Sequence, residues 1–230
     1  TEVELASRLQ KMRVSDFGSA RELRSYLVDS IHQLRKRRQQ GIVAQFSSTG
    51  FDPEIMDFVK IGKGSLGGKA RGLAFMANQL AQAVQDGAFT DCPIKLPATL
   101  VITSDGYDSF LADNRLAEGR DDESDAAIAD RFLRAEMPVW LLEQLQAYLA
   151  RMRRPLSVRS SSLLEDAQFK PYAGLYSTYM LPNNHPDFNV RLRQFLAAIK
   201  LVYASTSFAG PRAFARRTSD RQPDRDKMAV

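Results

Sequence analysis

The chain has 230 residues, enough to bury a sizeable core as one large domain or two small ones. Its 44% hydrophobic and 26% charged content is that of an ordinary globular protein and excludes a chain disordered throughout. A single cysteine, Cys92, excludes a disulfide scaffold and a cysteine-based zinc site, and His32 and His185 are too few for a histidine-rich metal site. The 32 Lys and Arg against 27 Asp and Glu leave +5, a mild excess that suits nucleotides, phosphates or nucleic acid without demanding any of them. No run approaches the roughly 20 apolar residues that cross a bilayer. From Thr1 onward the N-terminus carries charge and lacks the apolar stretch of a signal peptide. The expectation is a cytoplasmic protein with no membrane partner.

Residues 1–40 read as helix, interrupted at Phe17-Gly18-Ser19, with a stripe of Leu23, Leu27, Ile31 and Leu34 on the second half. Arg35-Lys36-Arg37-Arg38 followed by Gly41 is a helix stop, and its plain reading is a solvated helix end. A connector with Ser47-Ser48-Thr49-Gly50 and Asp52-Pro53 leads to a short strand, Phe58-Val59-Lys60-Ile61. A glycine cluster then opens a helix over about 69–85, with Leu73, Ala77, Leu80 and Val84 on one face. Thr99 to Thr103 is β-rich, and Ser104-Asp105-Gly106 reads as the cap of a helix through Phe110. Residues 114–125 read as an exposed acidic loop. Helices are predicted near 124–136 and 138–152, with Pro138 in a first turn. Leu156-Ser157-Val158 is a short strand, 160–172 loop-like, Tyr176 to Leu181 a weak strand and 189–206 an amphipathic helix. Residues 211–227 are polar and rich in Arg and Asp, and Met228-Ala229-Val230 begins an apolar run as the chain stops, which predicts a boundary inside a longer gene product.

The glycine cluster, GKGSLGGK over residues 62–69, places backbone amides at a helix start beside Lys63 and Lys69, a natural setting for phosphate. It is not a Walker A loop: Lys63 stands where the first glycine belongs, and Ala70, not Ser or Thr, follows Gly68-Lys69. Gly62, Gly64 and Gly67 do spell G-x-G-x-x-G, but the pattern needs its strand context, and Asp86 at the acidic offset falls on the helix end. The alternative is a glycine turn that only caps a helix. Further on, Arg159 leaves a strand end beside Ser160-Ser161-Ser162, an arrangement that can fork onto phosphate oxygens or, more simply, pair with Glu165 or Asp166. Gly174 and Thr178 follow in AGLYST, where a glycine can let a ligand approach closely or form an ordinary turn.

Taken together, IGKGSLGGKARGLAFM, PATLVITSDGYDSFL, PLSVRSSSLLED and YAGLYST, in this order, resemble the N-terminal nucleotide-binding domain of the phosphoenolpyruvate synthase and pyruvate phosphate dikinase family. The resemblance runs from about Phe58 to Val230. It implies an α/β (α+β) fold: an ATP-grasp-like N-terminal lobe at 58–230, preceded by a helical N-terminal extension at 1–57. It implies ATP and Mg2+ as cofactors, with Lys69 and Arg159 on the phosphates, Gly67 and Gly68 in the loop, and Gly174 and Thr178 lining the nucleotide site. Metal ligands, the carrier histidine and the site for pyruvate or another acceptor are expected on downstream domains outside this chain, so no catalytic or metal-ligating residue is assigned within it. The isolated chain is then expected to be inactive. Many members carry Gln directly after the Ala-Gly, where this chain has Leu175, so that position receives no polar role. His185, in Asn183-Asn184-His185-Pro186-Asp187, reads as a turn residue, and His32 as solvated.

Two rivals stand beside this reading. A related dikinase-type phosphotransferase would use another acceptor, such as an antibiotic or a glucan. A non-catalytic module would bind nucleic acid through Arg35–Arg38 and Arg212–Arg225. Aromatics do not interleave with these basic runs and Asp220, Asp224 and Asp226 dilute the second, so a nucleic-acid partner is disfavoured. The apolar stripe at 23–34 needs cover, from the α/β lobe or from a second copy of the chain in a homodimer.

Overall fold

The computed structural model describes residues 6–7, 9–39, 41–85, 94, 96–116, 123–162, 174–218 and 228–230. It is a mixed α/β structure. Helix α1 spans Ala20–Gln39. Its start follows from Ser19 and Glu22: the Ser19 hydroxyl accepts from Glu22 N–H at 3.2 Å and the Glu22 carboxylate accepts from Gly18 N–H at 2.8 Å. The apolar stripe is rotated from the predicted one. Leu23, Leu27 and Leu34 are half-buried, but Ser30 is buried while Ile31 is 40% exposed. Of the first predicted helical stretch, the described part includes one 3-10 turn, Val14–Asp16.

Three parallel strands follow, β1 (Ala44–Gln45), β2 (Phe58–Ile61) and β3 (Thr99–Ile102), in the order β1-β2-β3. The register pairs Phe58 with Thr99 and Ile61 with Ile102. Helix α2 (Gly67–Gln85) crosses from β2 to β3, so the two strands and the helix make a β-α-β unit. Alternation along the strands sorts the side chains. Phe58 and Val101 pack with Ala70 and Leu73 of α2, while Val59, Ile61 and Ile102 enter the main core.

That core is built by α3 (Ser104–Asp113), α4 (Asp125–Arg134), α5 (Val139–Arg151) and α6 (Phe188–Ser205). Phe110, Ile128, Phe132, Leu141, Leu145, Leu149, Ile199, Val202 and Tyr203 are fully buried, and the Phe110 ring lies 5.9 Å from Phe132 and 5.5 Å from Tyr203. Pro138 holds the N-cap of α5, one position before the predicted first turn. Thr103, not Ser104, occupies the N-cap of α3. A hairpin-like antiparallel pair, β4 (Leu156–Arg159) with β6 (Thr178–Leu181), places Arg159 directly opposite Thr178.

Two elements depart from the sequence reading. Residues 161–162, predicted as loop, form strand β5 (Ser161–Ser162), paired with β7 (Met228–Ala229). The adjoining Val230 exchanges backbone hydrogen bonds with Ile102 of β3, at 2.6 and 3.0 Å. The apolar residues at the end of the chain thus lie between β3 and β5. The polar 211–227 segment begins inside a helix, α7 (Ala209–Thr218), held in part by Ala209 N–H to the Asp125 carboxylate at 2.7 Å.

Candidate functional site

The glycine loop lies between β2 and α2, and two other segments close on it: the β3–α3 junction and β5. The junction takes three consecutive amides. Lys63 N–H donates to Asp105 Oδ2 at 2.8 Å, the Gly64 amide faces the same carboxylate, and Ser65 N–H donates to Ser104 Oγ at 3.0 Å. Ser104 N–H returns a bond to Ser65 O at 3.0 Å. The Thr103 hydroxyl shares its single proton between Ile61 O, at 2.8 Å, and Asp105 Oδ1. Partial burial works to raise the Asp105 pKa, but the bonds from Lys63, Thr103, Gly64 and its own amide outweigh it and hold the carboxyl below its ordinary value.

The glycines permit this closure. A Cβ on Gly62, at φ +98°, would lie 2.1 Å from Thr103 Oγ1, and one on Gly64 would lie 2.6 Å from Ser104 Oγ. Gly67, at φ +73°, meets β5 backbone to backbone: its Cβ would lie 1.5 Å from Ser161 O. The β-α-β context that the G-x-G-x-x-G pattern requires is therefore present, yet each of its three glycines is required by a neighbouring segment of this chain. Asp86 lies outside the described residues.

Ser161 also orders the first turn of α2. Its hydroxyl accepts from Ala70 N–H at 3.0 Å and donates to Leu66 O at 2.8 Å, a cap supplied from another strand. Ser65 Oγ accepts from Gly67 N–H at 3.2 Å and from Arg71 Nη2 at 3.1 Å. The Gly68 N–H has no acceptor among the described residues, and it sits where the helix dipole is positive.

Lys69, on that first turn, is half-buried and donates from Nζ to Ser160 Oγ at 3.2 Å. The contact brings Lys69 to the residue following Arg159. Arg159 itself is exposed at the end of β4, with no ion-pair partner among the described residues, and shares its cross-strand position with exposed Thr178. Glu165 and Asp166, the carboxylates weighed as its partners, lie outside the described residues. Gly67, Gly68 and Lys69 are thus gathered against Ser160 and Ser161, and Arg159 with Thr178 forms a neighbouring exposed pair. Gly174 has φ +76°, with open space where a Cβ would project. Leu175 is half-buried and packs against the main core, which accounts for an apolar residue there. His185 accepts at Nδ1 from Asp187 N–H at 3.1 Å within its turn, and His32 is exposed.

The sequence reading missed Thr103, Ser104, Asp105 and Ser161 as partners of the loop. The signal available was a Thr-Ser-Asp run directly after a strand, taken there only as a helix cap. A cleft of about 890 Å³ lined by Arg35, Phe51, Ile55, Met56 and Arg151 shares no residue with the glycine loop. Among the described residues no group of three or more His, Cys, Asp or Glu is placed to hold a metal ion, and no helix is long and apolar enough to cross a membrane.

Amides and a lysine at a helix start, with an arginine at a nearby strand end, are groups of the kind that can receive phosphate oxygens. A family model described as the pyruvate phosphate dikinase AMP/ATP-binding domain matches residues 63–230, from the glycine loop to the end of the chain. The chain belongs to this family of ATP-binding domains. No curated protein and no solved structure matches it.

Proposed function

We propose that the chain carries part of the ATP site of a phosphotransferase resembling phosphoenolpyruvate synthase, which moves phosphate from ATP to its own histidine and then to pyruvate. The observation that carries the reading is the family match over residues 63–230, which begins at the glycine loop and takes in Lys69, Arg159, Gly174 and Thr178. In this reading residues 58–230 are the first lobe of an ATP-grasp-like clamp, and 1–57 are an extension whose strand β1 edges its sheet. Lys69 and the Gly68 amide receive phosphate oxygens, and Arg159 adds a second cation from the strand end. Such groups suit phosphoryl transfer, whose catalysis is mostly positioning and charge neutralisation. The described residues suit the anionic phosphates of ATP, and in this reading the ligands of Mg2+ are supplied by another part of the enzyme. The acceptor site also belongs there, and an enzyme with a different acceptor would use the same ATP contacts.

The test is an ATP titration of this chain followed at backbone amides. Shifts centred on Gly68, Lys69 and Arg159 are expected. Shifts centred instead on Arg35 and Arg151 at the separate cleft overturn the assignment. The same protein, given ATP and pyruvate, should form no phosphoenolpyruvate, and sustained turnover would show that the chain is not one part of a larger machine.

A further inference from the structure

Three hydrogen bonds join residues 63–65 to the turn after β3. The Asp105 carboxylate accepts from Lys63 N–H and is faced by the Gly64 amide, and the Ser104 hydroxyl accepts from Ser65 N–H. Consecutive N–H groups converging on one carboxylate form the arrangement that elsewhere receives a bound phosphate. Here the anion is part of the chain. Gly62 and Gly64 are required because a Cβ on either would collide with Thr103, Ser104 or Asp105.

We propose that Asp105 is the built-in anion of the glycine loop: its carboxylate, with the Ser104 hydroxyl, occupies the amides of Lys63, Gly64 and Ser65, and so restricts a ligand phosphate to the far half of the loop, Gly67–Lys69. The second clause rests on the nucleotide reading given above; the first does not. Asp105 is a positioning residue. Through Lys63 and Gly64 it fixes the chain path that delivers Gly68 and Lys69 to the start of α2. Three further bonds hold the far half, Gly67 N–H to Ser65 within the loop, and Ala70 N–H and Leu66 O to Ser161 of β5. Among the described residues these bonds leave the Gly68 N–H of the far half without an acceptor. Lys63 is exposed, but its amide is already taken, so its side chain adds charge without belonging to the phosphate cradle.

The experiment uses amide hydrogen exchange on the 230-residue chain and its Asp105→Ala and Asp105→Asn variants. In Asp105→Ala the Lys63 and Gly64 amides should exchange about tenfold faster or more, while amides of α4 stay unchanged as a control for folding. Formate, a free carboxylate of the size removed, should restore protection at Lys63 and Gly64 beyond any effect of chloride at equal ionic strength. A residue that merely fills space would show no such rescue. If Asp105→Ala does not fold, Asp105→Asn carries the test: it keeps one acceptor oxygen and replaces the other with a donor, so exchange at the two amides should rise severalfold. Unchanged exchange in the variants, or no difference between formate and chloride, overturns the proposal.

A second arm adds ATP to the wild-type chain. Shifts at Gly68 and Lys69 without shifts at Lys63 and Gly64 support the division of the loop, and larger shifts at Lys63 and Gly64 overturn it. If formate rescue holds but ATP shifts no amide, the nucleotide reading fails and Asp105 stands as the anion of the loop.

Discussion

Gly67 and Ser161 meet with no room for a side chain: a Cβ at Gly67 would lie 1.5 Å from the Ser161 carbonyl oxygen, and Gly67 also holds φ at +73°. Gly72, one turn and a half further along α2, faces open space. Two glycines of one helix therefore make opposite predictions. Gly67→Ala combines left-handed backbone strain with a backbone collision and should cost about 2–4 kcal/mol. Gly72→Ala removes the helix penalty of glycine and should stabilise by about 0.5–1 kcal/mol. Urea unfolding of the two variants checks the pair, and equal effects would show that β5 does not lie against the start of α2.

Arg191 is 1% exposed and closes the C-terminal end of α5. Its Nη1 donates to Met152 O at 3.1 Å, to Asn183 Oδ1 at 3.0 Å and to Leu149 O at 3.3 Å, and its guanidinium lies 5.4 Å from the centre of the Phe188 ring. A cation at this end of a helix meets the negative pole of its dipole and the carbonyls that the helix leaves without donors. Arg191→Ala removes the donor and leaves a cavity, at an expected cost of about 3–5 kcal/mol. Arg191→Lys keeps the charge but loses the planar fork, and should recover part of that loss. A change below about 1 kcal/mol in the alanine variant would show that the buried guanidinium is not what closes α5.

Asp105 gives a pH dependence whose sign is fixed by its lowered pKa. A carboxylate held below its unfolded-state value of about 3.9 adds stability above that pH and loses it as pH falls through the folded-state value. Asp105→Asn should therefore be less stable than the parent at neutral pH. The gap should narrow below the ordinary carboxylate value and close once Asp105 is protonated in the folded protein. Denaturant unfolding at neutral pH and through the acid range measures the gap, and a constant difference would mean that the charge on Asp105 is not what holds the loop.

Much of the fold was legible because it is local. β2 at Phe58–Ile61 coincides with the predicted strand, and α6 at Phe188–Ser205 is displaced by one residue from its prediction. The elements that escaped depend on partners far along the chain. Ser161–Ser162 is a strand only because Met228–Ala229 lies beside it, and two polar residues carry no periodic signal of their own. Helix α7 was hidden by its Arg-rich, polar composition. The same holds at the site. GKGSLGGK and Arg159 announce themselves as phosphate chemistry, whereas the Asp105 contact to Lys63 spans 42 positions and the Lys69 contact to Ser160 spans 91. Residue types alone leave such distant pairings open.

Lys69 and Arg159 make the decisive prediction about nucleotide binding. Lys69 reaches Ser160 from the first turn of α2, and Arg159 precedes Ser160 at the end of β4, so both cations border one stretch of backbone. A charge-assisted hydrogen bond contributes roughly 1.5–3 kcal/mol, so loss of either should weaken ATP binding about ten- to a hundredfold. The measurement is an ATP titration of the 230-residue chain and of each variant under the same conditions. Lys69→Ala and Arg159→Ala should each lower ATP affinity and leave the melting temperature of the ligand-free protein nearly unchanged. Lys63→Ala should do less, because the Lys63 amide is bound to Asp105 and its side chain lies at the latched end of the loop. If the first two variants bind ATP as the parent does, the phosphate contacts lie elsewhere and the glycine loop reverts to a helix cap. If Lys63→Ala is the most damaging of the three, the phosphate sits at the Asp105 end of the loop instead.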